Sequence, residues 1–288
     1  MKREALRPMK SDISREDIKY NFLKNIIIRF DFQGMDEREL DSVISEVGLY
    51  LKKEENGYIS KNIEISKEMD FDIDDPEQIE REGLLAKSVR EQKVYVFQNI
   101  DPQVTLKIST TFALISIDKT KYVNCLQYCD TLIHIMKVIM EKIPYFSCTR
   151  FGLRKINQCI LLDINKLNDY FEKSHYQIYV FGTEHYSRIK VAERTDHLFI
   201  DDYNLNLTRE ILRGELQGKE AYQINLDADL YLLGDKEVKE IIQNNTCVRT
   251  MNEILFNIYK DSITESFLQQ LINGSFDSGL IKGVMKND

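Results

Sequence analysis

Residues 146–163 read "FSCTRFGLRKINQCILLD", an apolar run that carries two arginines four residues apart with a glycine midway between them. Its aromatic and β-branched content predicts a strand. Side chains alternate along a strand, so Arg150, Gly152 and Arg154 share one face while Phe151 and Leu153 share the other. One side of the strand is therefore cationic and the other apolar. Gly152, between two long side chains, lets a second backbone or a ligand come close, at the cost of weakening the strand.

Two kinds of partner could satisfy these arginines. Asp227 and Asp229 share a face of their own strand, "LDADLYLL", and the planar guanidinium fork suits a carboxylate. The alternative is an external anion, such as a phosphate or a partner's carboxylate. An internal ion pair needs no ligand, so Arg150 and Arg154 are expected on the inward, polar side of a central strand, with at least one held by Asp227 or Asp229. Together with Asn157 and Gly152 these residues form the candidate binding set; no catalytic or metal-ligating residue is assigned.

Working outward, the chain repeats one order of elements. "FLKNIIIRFDF" (residues 22–32) reads as a strand, and "MDERELDSVISEVGLYLKK" follows as a helix with Leu40, Val43, Ile44, Val47 and Leu51 at helical spacing. "GYISKNIEIS" alternates like a half-buried strand. Next comes an acidic, pattern-poor loop or lid within Lys67–Glu91. From Lys93, "KVYVFQNI", "QVTLKIS" and "TFALISID" form a meander, and a long apolar helix over Lys121–Ile143 is stopped by Pro144.

After the opening strand come a short helix ("DINKLNDYFEKS"), several strands, and a closing helix over roughly Lys236–Asn273. The expected fold is α+β: two similar halves, each an antiparallel sheet packed with a long helix, joined near Ile143–Cys148. The corresponding boundaries are a flexible segment 1–19, a first half 20–145, a second half 146–273 and a flexible tail 274–288. Residues 1–19 and 67–91 are expected to be the most mobile.

The chain has 288 residues, 43% of them hydrophobic, with 14 Phe, 15 Tyr, 4 Pro and 12 Gly, a composition that excludes wholesale disorder. A domain of this size buries roughly 70–75% of its unfolded surface and needs no metal or disulfide for stability. A net charge of −8 supplies no basic field for nucleic acid or anionic lipid. No apolar run approaches the roughly 20 residues that span a bilayer. The N-terminal residues lack the apolar core of a signal peptide, so the reading is cytoplasmic. Cys125, Cys129, Cys148, Cys159 and Cys247 show no CxxC spacing and read as free, mostly buried thiols.

Other chemistry falls away on inspection. Asp70, Asp72 and Asp74 alternate as in a calcium loop, but Asp75 stands where glycine is needed and Arg81 where a bidentate glutamate is needed. His134, His175, His185 and His197 show no metal-ligand spacing, and His134 reads as a core residue of its apolar helix. No glycine-rich phosphate loop is present, and no cofactor is implied.

Three stretches, "TRFGLRKINQCIL", "LDADLYLL" and "MNEILFNIYKDSITESF", resemble in order and spacing a sporadically distributed family of uncharacterised prokaryotic proteins. That family is typified by an Arg-x-Gly-Leu-Arg-aromatic-x-Asn strand and a C-terminal helix with Leu-Asn or Leu-His before a Phe. The resemblance runs over most of residues 22–271, with Lys155 in place of the usual aromatic and Met251 in place of the usual leucine. It implies a cytoplasmic protein without known catalytic residues, often encoded on mobile or defence-associated DNA. The expected function is therefore a non-catalytic binding protein with a protein partner, and a homo-oligomer is compatible with the sequence. The alternatives are a metal-dependent phosphodiesterase or nuclease using carboxylates such as Asp70, Asp72, Asp227 or Asp229, and nucleic-acid recognition by Arg150, Arg154 and Lys155. Acidity weighs against the last of these.

Overall fold

The computed structural model describes residues 10–53, 57–71, 86–99, 103–118, 125–176, 179–180, 183–184 and 189–286. Its main strands are β1 (Leu23–Gln33), β2 (Tyr58–Phe71), β3 (Ala86–Asn99), β4 (Val104–Ile108), β5 (Phe112–Asp118), β6 (Ser147–Leu161), β7 (Val191–Ile200), β8 (Tyr203–Leu216) and β9 (Lys219–Leu233). The main helices are α1 (Glu37–Leu51), α2 (Cys125–Lys142), α3 (Asp235–Gln243), α4 (Thr246–Ser262) and α5 (Glu265–Asn273).

The strands form one antiparallel sheet in the order β7-β8-β9-β6-β1-β5-β4-β3-β2. The α+β class and the β3–β4–β5 meander follow the sequence. The two separate sheets do not: β1 and β6 are hydrogen-bonded neighbours, with Ile28 opposite Leu153 and Phe30 opposite Phe151, so the sheet runs unbroken through the centre. Their pairing extends from Leu23 to Gln33 with two register shifts, between Leu23 and Asn25 and between Asp31 and Phe32.

All of these helices lie on the face that carries Phe30, Phe151, Leu153, Leu226 and Leu230, and the buried apolar side chains of α1, α2, α3 and α4 close over it. Helix α1 starts at a reciprocal cap: Asp36 accepts from the Glu39 amide at 2.8 Å, and Glu39 accepts from the Asp36 amide at 2.9 Å. A second cluster gathers Phe22, Phe171, Tyr259 and Phe267 at one end of β6. Each fully buried large side chain contributes about 1.5–3 kcal/mol.

The closing helix predicted over residues 236–273 is three helices. Backbone at Asn244 and Ile263 is extended, and Thr264 caps α5 by accepting from the Phe267 amide at 3.2 Å. Asn and Thr side chains compete with helical hydrogen bonds and favour such restarts. The segment read as a loop or lid is in part a ribbon, because Lys67–Phe71 and Ala86–Glu91 lie in the paired strands β2 and β3, while residues 72–85 lie outside the described residues. The calcium-like Asp72, Asp74, Asp75 and Arg81 fall there too.

Both ends, read as flexible, carry buried side chains. Ile13 and Ile18 are enclosed, and Ile281 pairs with Leu161 at the end of β6. Residues 1–9 lie outside the described residues.

Candidate functional site

Strand β6 is the hinge of the site because β9 and β1 flank it and place acidic residues on either side. Arg150 Nη2 donates to both oxygens of Asp229 at 2.8 and 2.7 Å, while its Nη1 reaches Asp31 Oδ2 at 3.3 Å. Arg154 grips Asp227 with the planar fork: Nε donates to Oδ1 at 2.8 Å, and Nη2 donates to Oδ2. Asp31 also accepts from Arg29 Nε at 2.7 Å. Three arginines and three aspartates thus form a neutral row across β1, β6 and β9.

Gly152 now has a physical reason. The Arg150 guanidinium folds back over it, and a Cβ at this position would meet Nη1 and Nη2 at 2.8 Å. The same guanidinium stacks on the Tyr231 ring, 4.5 Å from its centroid. The close approach foreseen at Gly152 is made by the chain's own arginine.

The expected pairing of the arginines with Asp227 and Asp229 therefore holds, but their placement differs. The inward face of β6 is the apolar one, and the charged row lies on the outer face, where the Arg150 side chain is 20% exposed and that of Arg154 43%. Burial raises the Asp229 carboxyl above its ordinary value more than Arg150 and Arg154 pull it down. The hydrogen bonds that Arg154 donates to Asp227 strengthen its hold on its proton.

This partial exposure sets the energy. Arg150→Ala is expected to cost about 1–2 kcal/mol in urea unfolding, less than the roughly 3–5 kcal/mol of a fully buried pair, because water can reach the orphaned carboxylates. An unchanged midpoint, or a loss above that range, would contradict the geometry.

The rest of the outer face continues the pattern. Asn225 Nδ2 donates to Glu210 at 2.6 Å, Thr195 and Thr208 hydroxyls meet at 2.9 Å, His197 meets Asn206 at 2.7 Å, and Asn25 donates to Ser116 at 3.1 Å. It is a half-buried, mixed polar surface crossing most of the sheet.

Two residues grouped with the arginines from sequence lie on the opposite face. Asn157 is buried and donates to the Leu226 carbonyl at 3.4 Å. Lys155 is buried beneath α4, donating to Asn252 Oδ1 at 2.5 Å. Burial, reinforced by the nearby Arg15 charge, pushes the Lys155 amine down to about 7. Odd-numbered positions of β6 face the core, so an Arg150–Arg154–Lys155 binding surface cannot form. The sequence reading set this lysine on the wrong face, which parity along the strand would have corrected, and it left out Arg29 and Asp31, the β1 members of the charged row.

The histidines disperse. His134 is exposed and stacks on Tyr50 at 3.9 Å rather than entering the core, since α2 buries the flanking Ile133 and Ile135 instead. His175 accepts from Arg209 Nε at 3.2 Å, with burial lowering its basicity, and His185 lies outside the described residues. Among the described residues no three His, Cys, Asp or Glu side chains gather into a metal site. All five cysteines are free thiols, four of them buried. No helix among the described residues is long and apolar enough to cross a membrane.

The chain is thus a mixed α+β protein in which, among the described residues, the helices cover one sheet face and the other carries the charged row. Comparison with family models, curated proteins and solved structures finds no match.

Proposed function

We propose that the protein is a non-catalytic binding protein that recognises a protein partner across the sheet face that carries the charged row. The observation that carries this reading is the state of the carboxylates. Asp227 and Asp229, which a metal-dependent phosphodiesterase would need as ligands, are each engaged by an arginine. Freeing either would leave a cation unpaired on a half-buried surface. The mixed donors and acceptors of the same face suit a polar protein surface better than a uniformly anionic polymer.

The scaffold is best read as two related halves, residues 20–145 and 146–273. Support comes from strand order: β1 lies beside β5, the last strand of its meander, and β6 lies beside β9, the last strand of its own. Each meander then runs outward from the β1–β6 centre. A superposition that yields no common strand order would remove this part of the proposal. The free thiols favour a cytoplasmic setting, and the resemblance to the prokaryotic family favours a role in a mobile-element or anti-phage defence system.

Purified protein is expected to lack nuclease, phosphatase and nucleotide-hydrolysing activity with or without divalent metal. Metal-stimulated turnover abolished by Asp227→Asn or Asp229→Asn would overturn the reading. In cells that encode the protein, cross-links to a partner should map to β6, β8 and β9. Thr208→Arg should remove them without lowering the melting temperature.

A further inference from the structure

The outer strand β7 ends the sheet, and among the described residues nothing pairs with its free side. Edge strands are usually blunted by charge, proline or brevity. This one carries Glu193, Arg194 and Asp196 at its middle, yet it is ten residues long and exposes Val191 (61%), Leu198 (43%) and Phe199 (83%) towards its ends. The strand joins β8 through the two-residue turn Asp201–Asp202, with Ile200 opposite Tyr203. Counting the antiparallel alternation back from that turn, the backbone N–H and C=O groups of Val191, Glu193, Thr195, His197 and Phe199 point away from the sheet.

The sequence of this edge is complementary to itself about Thr195. A twofold axis normal to the sheet through Thr195 sets Arg194 opposite Asp196 and Glu193 opposite His197, each twice. It also sets Ala192 opposite Leu198 and Val191 opposite Phe199. Every charged side chain of the strand meets a polar or oppositely charged one, and every exposed apolar side chain meets an apolar one. Moving the axis one residue to Asp196 loses this: two aspartates then meet on the axis, Arg194 faces Leu198, and Glu193 faces Phe199. The other edge, β2, has no such centre, because the register that matches Ile63 with Ile65 also sets Lys61 against Lys67.

We infer that β7 is an isologous dimerisation edge, pairing antiparallel with β7 of a second copy of this chain about Thr195. Cross-strand pairs of this kind each stabilise a sheet, and a closed twofold repeats every one of them. The two faces that carry the charged rows then join into a single surface of double width. The inference does not depend on what that surface binds.

Sedimentation equilibrium of the full chain should show a dimer at micromolar concentration. Thr195→Lys places two ammonium groups together on the axis at an exposed position. It should weaken the dimer at least tenfold while leaving the far-ultraviolet spectrum unchanged, and the melting temperature should no longer rise with protein concentration. Thr195→Cys should form an intermolecular disulfide under mild oxidation, since residues paired on the axis lie within bonding reach. Ile63→Cys on β2 should not. A monomer at 100-fold higher concentration, a dimer untouched by Thr195→Lys, or cross-linking through Ile63→Cys instead would overturn the inference.

Discussion

Replacing Lys155 with methionine is expected to raise the stability of the protein by about 2–3 kcal/mol near neutral pH. In the unfolded chain this amine titrates at its ordinary value, while in the fold burial brings it down to about 7. A separation of that size corresponds to about 4–5 kcal/mol of destabilisation wherever both states carry the proton. Methionine fills a similar volume without a charge to desolvate. The change leaves Asn252 without its partner, a loss of about 1–2 kcal/mol for a buried amide. The difference is a net gain, in line with other buried charges replaced by apolar groups.

The sign of the pH dependence follows from proton uptake. Between about pH 7 and pH 10.5 the unfolded chain binds this proton more tightly than the fold does, so this group makes stability rise with pH across that window. Below about pH 7 both states are protonated and its contribution is flat. The charged groups facing the amine are Arg15, which depresses it further, and Cys125 and Glu253, which oppose the shift. Urea unfolding of both proteins at about pH 7, 8.5 and 10 should therefore show the advantage of Lys155→Met shrinking as pH rises. A constant difference, or a less stable variant at pH 7, would refute the buried neutral amine.

Phe22→Ala is expected to cost about 3–5 kcal/mol. Phe22 is 1% exposed, and its ring lies 4.9 Å from that of Tyr259, 5.9 Å from that of Phe171 and 6.1 Å from that of Phe267. It joins the start of the sheet to α4 and α5. Phe22→Leu, which keeps most of the volume, should lose only about 1 kcal/mol. The midpoint of urea unfolding reads both. A loss below about 1 kcal/mol for the alanine variant would mean that this end of the chain is not part of the folded core.

The sequence made the charged row legible because period-two alternation fixes which residues share a face, and Asp227 and Asp229 were the acids at matching parity. It did not reveal which face turned outward. Both edges of a central strand are taken by neighbouring strands, and which of its two faces is covered is decided by the helices, positioned by residues far away. Lys155 was misplaced by adjacency in sequence, although parity with Leu153 puts it in the core. The outer part of the β2–β3 ribbon, Lys67–Phe71 with Ala86–Glu91, was read as a loop because acidic residues dominate that stretch of sequence and mask its strand character. The break at Ile263 was hidden because apolar residues continue through it, and only Thr264 marks the restart.

The position of β1 bears on how the chain reaches its fold. Asn25 lies opposite Asp118 on one side of that strand, and Ile27 lies opposite Arg154 on the other. As the polypeptide emerges from the ribosome, β1 comes first among the main strands and has neither neighbour. The hydrogen-bonding groups on its β5 side wait until Asp118 has been made, and those on its β6 side until more than half of the chain has been made. Distant pairing of this kind slows folding and prolongs exposure of a strand that can associate with other chains. A nascent chain stalled before Leu161 should therefore depend on a chaperone to stay soluble, whereas one released after that point completes the centre of its sheet unaided.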